Sequence, residues 1–194
     1  MPTRNEQKEL RRQNILLVAL DLFVKNGYAA TRIDDIAKVA NMSVGLMFHY
    51  FDSKEALYIE LVKIGLQGTK QPLAQADSFP PLEVFESFSR TLLHMLKEQP
   101  MVAKMFVLMA HTQTSRDVPD AARELALQVN TIEQSIPIII KGQENHTIRQ
   151  GSPLALSTAY WCAIQGIMEQ LANHPETPFP EPEWISAILK EEQI

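Results

Sequence analysis

The chain has 194 residues, of which 45% are hydrophobic, and its Leu- and Ala-rich composition favours helices over strands. The single Cys162 excludes an internal disulfide framework, and no apolar run approaches the length of a membrane span. The N-terminus carries no apolar signal region. We therefore expect an all-α, cytoplasmic protein without a membrane segment.

The formal net charge of −5 is unevenly distributed. Residues 1–54 carry eight Lys or Arg against six acidic residues, a balance of +2. Residues 55–194 carry ten against seventeen, a balance of −7. This difference indicates two parts with different partners, and the less acidic part is the candidate for binding nucleic acid.

The chain begins with an amphipathic pattern. Apolar residues recur at helical spacing over 5–26, and Gly27 stands where a left-handed residue would end that helix. Thr31 is a suitable N-cap for a second, short helix, whose first turn would hold Asp34 and Asp35.

A tight turn is predicted next, because Asn41 readily adopts the left-handed conformation. Ser43 would cap a third helix that runs to Phe51, and Ser53 would open a fourth that runs to about Gly68. Short helices joined by a tight turn are typical of a helix-turn-helix module.

Prolines divide the rest of the chain. A linker, TKQPLAQADSFPP (69–81), precedes five stretches of helical periodicity, and Pro137 predicts a kink or an early end in one of them. These stretches are about 82–98, 101–112, 118–141, 153–173 and 181–192.

The segment GYAATRIDDIAKVANMSVGLMFHYFDSKEALYIELV (27–62) resembles the N-terminal segment of the TetR family of bacterial transcriptional regulators. Segments 142–157 and 163–168 resemble the more variable effector half of that family. The shared features of the first segment are Gly27 with Thr31, Ile36-Ala37, Ser43 with Gly45, His49-Tyr50-Phe51 and Ser53-Lys54-Glu55-Ala56-Leu57.

The resemblance implies an N-terminal three-helix DNA-binding domain, 1–52, and a C-terminal helical domain for effector binding and dimerisation, 53–194. It also implies a homodimer on double-stranded DNA, paired through the helices at about 153–173 and 181–192. The apolar sides of 153–173 suit such an interface, although a buried core helix in a monomer fits the pattern nearly as well.

The DNA-reading helix implied by the resemblance spans 44–50. Val44, Leu46 and Phe48 stand where the family pattern has a polar or basic residue, a Thr and a Tyr. The first two can still contact thymine methyl groups, whereas Phe48 lacks the hydroxyl that would bind a phosphate. We expect weaker direct readout and greater dependence on phosphate contacts and DNA shape.

Polar contacts to DNA are expected from residues around this helix. Arg32 is the candidate for a bidentate base contact, and Lys54, at a helix N-terminus, for a phosphate contact. Met47 and Phe51 are expected in the core instead. The predicted DNA-binding set is Thr31, Arg32, Ser43, Val44, Gly45, Leu46, Phe48, His49, Tyr50 and Lys54.

Methionine and aromatic side chains follow the predicted helices of the C-terminal part. An ordinary core explains each of them singly, while a pocket among them would bind a small apolar or aromatic effector, because no Lys or Arg cluster accompanies them. The candidate ligand-binding residues are Phe88, Met95, Met105, Phe106, Met109, His111, Trp161, Gln165 and Met168.

Other chemistries find no support in the sequence. The five histidines are too dispersed for a metal site, no cofactor motif occurs, and Cys162 is expected to be an inert, buried thiol. Enzyme motifs such as a phosphate loop or a nucleophile elbow are absent, so we expect no enzyme. The favoured function is a repressor released from a palindromic operator by an effector. The alternative is a dimeric DNA-binding protein without an effector, whose body serves only dimerisation or protein docking.

Overall fold

The computed structural model describes residues 3–69 and 79–191, and within these residues it is all-helical, as predicted. None of the described helices is long and apolar enough to cross a membrane. The predicted linker falls largely on 70–78, outside the described residues. The helices are α1 Arg4–Ala30, α2 Ile33–Val39, α3 Val44–Met47, α4 Lys54–Thr69, α5 Pro81–Glu98, α6 Met101–Thr114, α7 Asp120–Ala126, α8 Thr131–Glu144, α9 Pro153–Asn173 and α10 Pro182–Ser186.

The described residues form two compact units. The N-terminal unit comprises those within Met1–Leu66 and Val107–Gln128, and the body unit comprises those within Gln67–Phe106 and Val129–Ile194. The second half of α6 and all of α7 therefore pack with the first four helices. These compact units are defined by packing. The predicted division into functional domains after residue 52 concerns DNA binding and effector binding, and it stays a prediction.

Helix α1 begins with a capping box and contains a break near its end. Thr3 and Glu6 form a capping box at its start, each side chain accepting a hydrogen bond from the backbone N–H of the other. The helical backbone breaks at Gly27, as predicted, but with φ 78° and ψ 165°. This ψ lies outside the left-handed helical region that the sequence suggested, and one further helical turn follows the break.

Helix α9 lies at the centre of the body unit. The Tyr160 hydroxyl donates to the carbonyl of Phe85 at 2.9 Å, and the Trp161 indole donates to Ser135 Oγ at 2.8 Å. Burying each large side chain of this kind stabilises the fold by roughly 1.5–3 kcal/mol. The buried cluster is Phe85, Leu92, Leu93, Leu96, Ala103, Ile139, Ile148, Tyr160, Trp161, Ile164, Met168, Leu171, Ile185 and Leu189.

The stretch 118–141 was expected to be one helix and is two, α7 and α8. Asn130 starts the second by accepting a hydrogen bond from the N–H of Glu133 at 3.2 Å. A kink or an early end was expected at Pro137; the early end does not occur, because α8 continues through Pro137 to Glu144. Pro137 is exposed, and water can hydrate the carbonyl whose donor the proline removes.

The expectations for the last helix and for Cys162 of α9 were also wrong. The predicted helix at 181–192 is limited to α10, five residues long, because the chain then turns so that Lys190 pairs with Ile148 in an isolated antiparallel bridge. Residue 192 lies outside the described residues. Cys162 was expected to be buried and is exposed, since its helix position faces away from the buried Tyr160 and Ile164.

Candidate nucleic-acid interface

Helices α2 and α3 form the predicted helix-turn-helix, joined by a turn at Asn41. Asn41 has φ 56°, and the N–H of Met42 donates to the carbonyl of Ala37 at 3.0 Å, which closes the end of α2. Ser43 Oγ accepts a hydrogen bond from the N–H of Leu46 at 3.1 Å, as expected of an N-cap. The turn and the cap together fix the direction of α3.

The face of α3 combines exposed and half-buried side chains. Phe48 leaves 46% of its surface exposed, and His49 and Gly45 are also exposed. Val44 and Leu46 are half-buried. This segment therefore presents an aromatic ring and an imidazole to solvent.

The remaining members of this segment divide between core and surface. Met47 is fully buried and Phe51 is 6% exposed, which confirms both as core residues. Tyr50 is half-buried, and Ser43 is exposed although its hydroxyl oxygen caps α3. Arg32 is exposed and occupies the N-cap position of α2, without a capping hydrogen bond from its side chain.

Thr31 does not cap α2, contrary to expectation. It is 1% exposed, and its hydroxyl donates to the carbonyl of Gly27 at 2.7 Å, with Leu22 O at 3.2 Å. The break in α1 at Gly27 leaves backbone carbonyls of α1 available as acceptors. The Thr31 side chain therefore points inward to donate to them. Thr31 therefore ties α2 to α1 and is withdrawn from the surface that could touch DNA.

Lys54 also turns inward. Its Nζ donates to the carbonyls of Tyr28 at 2.8 Å and Thr31 at 2.9 Å, and lies 4.1 Å from the centre of the Tyr28 ring. Burial lowers the pKa of Lys54. The ammonium group expected to bind a phosphate is thus engaged within the N-terminal unit, where it braces the start of α4 against the end of α1.

Two arginines of α1 were not among the predicted contacts. Arg12 forms an ion pair with Glu60, and its guanidinium carbon lies 5.3 Å from the centre of the Phe51 ring. Arg11 is exposed and lines a cleft of about 290 Å³ together with Leu46. The sequence does not show that Arg12 forms an internal ion pair while Arg11 stays exposed, because both residues lie in one charged run of α1.

The candidate ligand-binding residues lie in different environments. Seven of them belong to the body unit: Phe88, Met95, Met105, Phe106, Trp161, Gln165 and Met168. Within that set Trp161 and Met168 are part of the packed cluster, Phe88 and Phe106 pack against it, and Met95 is 41% exposed.

The other two candidates, Met109 and His111, belong to the N-terminal unit. Met109 is 7% exposed, whereas His111 lines a cleft of about 270 Å³ within that unit. This pair therefore belongs to a different compact unit from the other seven candidates.

These features define a helix-turn-helix protein, and comparison with known proteins identifies its family. Residues 15–61 match the sequence profile described as bacterial regulatory proteins, tetR family. YhgD from Bacillus subtilis, an uncharacterized HTH-type transcriptional regulator, is 30% identical over 145 residues, which span 73% of this chain and 71% of YhgD. The chain belongs to the TetR family.

Other relatives match over shorter lengths. The HTH-type transcriptional regulator RutR from Escherichia coli is 32% identical over 106 residues, which cover 54% of this chain but only 50% of RutR. The match to RutR thus spans half of that protein's length. These relatives are transcriptional regulators, in agreement with the expectation that the chain is not an enzyme.

Solved structures share the fold. The MbdR regulator from Azoarcus sp. CIB superimposes with a TM-score of 0.78 at 22% identity, covering 95% of this chain and 100% of MbdR. The hemolysin II transcriptional regulator HlyIIR has a TM-score of 0.65 at 23% identity, with 95% and 99% covered. The two-part helical architecture is therefore that of solved transcriptional regulators.

Proposed function

We propose that the chain is a transcriptional repressor that binds double-stranded DNA as a homodimer and is released by a small effector. The observation that carries the proposal is the helix-turn-helix of α2 and α3, whose second helix is partly exposed and lines a cleft with the exposed Arg11. An α-helix fits the major groove, so this face is the part of the N-terminal unit suited to reading bases.

The proposed DNA contacts follow from exposure. Arg32 supplies the charged group for a base edge or a phosphate, and Arg11 supplies a second cation near α3. Val44 and Phe48 offer apolar contacts to thymine methyl groups, and His49 offers a hydrogen bond. Thr31 and Lys54 leave the set, because both are engaged inside the unit.

Dimerisation is proposed through α9. Its outward face carries small exposed residues at helical spacing, which would let a second helix approach closely: Ala155, Ala159, Cys162 and Gly166. Leu154, 53% exposed, extends this face, and Trp184 of α10 is 68% exposed. Such a pairing would cover the Cys162 thiol and would give each dimer two reading helices, so we expect an operator of two half-sites about 34–36 Å apart.

The dimer is tested by native mass spectrometry of the purified chain. We expect twice the mass of the 22.0 kDa protomer. A monomer at micromolar concentration would contradict the dimeric part of the proposal. A dimer that carries an additional small-molecule mass would support effector binding, whereas a dimer that never responds to any ligand favours a DNA-binding protein without an effector.

DNA binding is tested by selection from a random duplex library. We expect a two-fold symmetric motif, and Arg32→Ala should relax the preference at one base pair in each half-site. Arg116→Ala, a control at another exposed arginine of the N-terminal unit, should leave the motif unchanged. Selection of no motif by the wild-type chain would contradict the proposed function, and an unchanged motif for Arg32→Ala would remove Arg32 from the base contacts.

A further inference from the structure

The N-terminal unit contains a cleft that the DNA-binding role does not use. Its volume is about 270 Å³, and α1, α4, α6 and the segment after α6 line it. Phe23 and Tyr28 of α1 and Tyr58 of α4 form one wall, and Leu108 and Val118 contribute aliphatic surface. All the lining residues belong to this one unit.

The aromatic wall is held in a fixed arrangement. The Tyr58 ring meets both Phe23 and Tyr28 edge-on, with centroids 4.9 Å apart in each pair. Thr112 donates its hydroxyl proton to the carbonyl of Leu108 at 2.6 Å, so Tyr58 is the donor in the 2.7 Å contact between the two hydroxyl groups. Phe23 and Tyr58 are each only 2% exposed, so a ligand entering the cleft would meet chiefly the half-buried Tyr28 ring, which these two rings hold in place. A preformed contact surface lowers the entropic cost of binding.

Polar groups stand at the edge of this wall. His111 and Thr114 are exposed, so the cleft is accessible from solvent on the α6 side. Within the part of the chain that the structure describes, the Tyr28 hydroxyl has no hydrogen-bond partner, in contrast to that of Tyr58. The lining groups able to bind a hydroxyl or carbonyl of a ligand are therefore the Tyr28 hydroxyl, His111 and the hydroxyl groups of Thr114 and Ser115.

Charge and size limit the ligand further. Among the described residues no Asp, Glu, Lys or Arg lines the cleft, and the Lys54 ammonium beside the Tyr28 ring already donates to two backbone carbonyls. An ion in the cleft would therefore lose its hydration without gaining an uncommitted counter-charge. A cavity of roughly 150 Å³ holds benzene. A volume of about 270 Å³ thus accommodates one aromatic ring with one or two substituents.

We propose that this cleft is a binding site for a small, uncharged aromatic molecule that carries a hydroxyl or carbonyl group, such as a substituted phenol. The ligand ring packs against the ring of Tyr28, which Phe23 and Tyr58 hold in place, and the polar group of the ligand reaches the Tyr28 hydroxyl or His111. The effector role of such a molecule rests on the proposed function, whereas its binding to the cleft does not.

The test uses p-cresol as the probe, with toluene and p-toluate as comparison compounds, and isothermal titration of the full chain without DNA. We expect saturable binding of p-cresol, weaker binding of toluene and at least tenfold weaker binding of the p-toluate anion. Tyr28→Phe should weaken p-cresol severalfold and leave toluene unchanged. Equal affinity for p-cresol and p-toluate, or no binding of p-cresol, would overturn the proposal.

A blocking variant locates the site. Thr114→Trp places a large ring in the cleft from an exposed position of α6 and should weaken p-cresol at least tenfold. Leu127→Trp, at a 58% exposed position of the same unit outside the cleft, should bind as the wild type does. Wild-type affinity in Thr114→Trp would overturn the assignment, and Tyr28→Phe decides the matter if Thr114→Trp does not fold. If the wild-type chain binds p-cresol but selects no DNA motif, the proposed function is refuted and the ligand site is still supported.

Discussion

Lys54→Met tests whether Lys54 is a structural brace. The substitution keeps much of the apolar stem but removes the ammonium that donates to the carbonyls of Tyr28 and Thr31. A hydrogen bond from a charged group contributes roughly 1.5–3 kcal/mol, and an exposed cation–π contact about 0.5–1 kcal/mol. Lys54 is half-buried, and burial lowers its pKa, so solvent screening and desolvation remove much of this gross gain. We expect the free energy of unfolding to fall by about 2 kcal/mol.

The assay is urea denaturation at pH 7 followed by far-UV circular dichroism. A loss of about 2 kcal/mol lowers the midpoint by roughly 1 M at the slopes usual for small proteins. Lys63→Met is the matched control, because Lys63 is an exposed lysine of the same helix, and its free energy of unfolding should stay within about 0.5 kcal/mol of the wild-type value. Equal midpoints for the two variants would refute the bracing role. A shallower salt dependence of DNA binding in Lys54→Met alone would then return Lys54 to the phosphate contacts.

Two further predictions concern the body unit and the start of α1. Tyr160→Phe removes a buried hydroxyl that donates to Phe85 O at 2.9 Å and lies 2.8 Å from Ser89 Oγ, so the unfolding free energy should fall by about 1–2 kcal/mol; an unchanged urea midpoint by tryptophan fluorescence would contradict this. The backbone and hydroxyl of Thr3 hold the pKa of Glu6 below its ordinary value of 4.5. Because the folded-state pKa is the lower one, the cap stabilises α1 above pH 4.5 and this contribution is lost as the pH falls through the lowered pKa. Carboxyl titration by NMR should give a midpoint below 4.5 for Glu6 that returns upward in Thr3→Ala, and a midpoint at or above 4.5 in the wild type would refute the capping box.

The features that the sequence predicted well depend on short-range interactions. Ser43 and Ser53 cap their helices by accepting hydrogen bonds from N–H groups three residues later. Asn41 adopts its positive φ because a tight turn demands it, and the helix breaks at Gly27 for a similar reason. Signals of this kind are contained in a few neighbouring residues, so the helix-turn-helix could be predicted from the sequence.

The features that were missed depend on distant partners. The acceptors of Lys54 lie 26 and 23 residues earlier in the chain, and helical periodicity contains no information about them. The C-terminal segment has a helical pattern, yet its pairing with Ile148 limits α10 to five residues. The same limit applies to the candidate ligand-binding residues of the body unit. A row of methionines at helical spacing has the same sequence pattern whether it lines a cavity or fills a core.

The two proposals for the N-terminal unit converge on Tyr28. Its ring lines the proposed ligand cleft, while its carbonyl accepts the hydrogen bond from Lys54. Lys54 also holds the carbonyl of Thr31, the residue immediately before Arg32. A ligand bound against the Tyr28 ring would therefore be linked to Arg32, at the start of α2, through Tyr28, Lys54 and Thr31. Such a ligand changes DNA affinity only by the ratio of its affinities for the free and DNA-bound protein, and DNA must change the ligand affinity by the same factor.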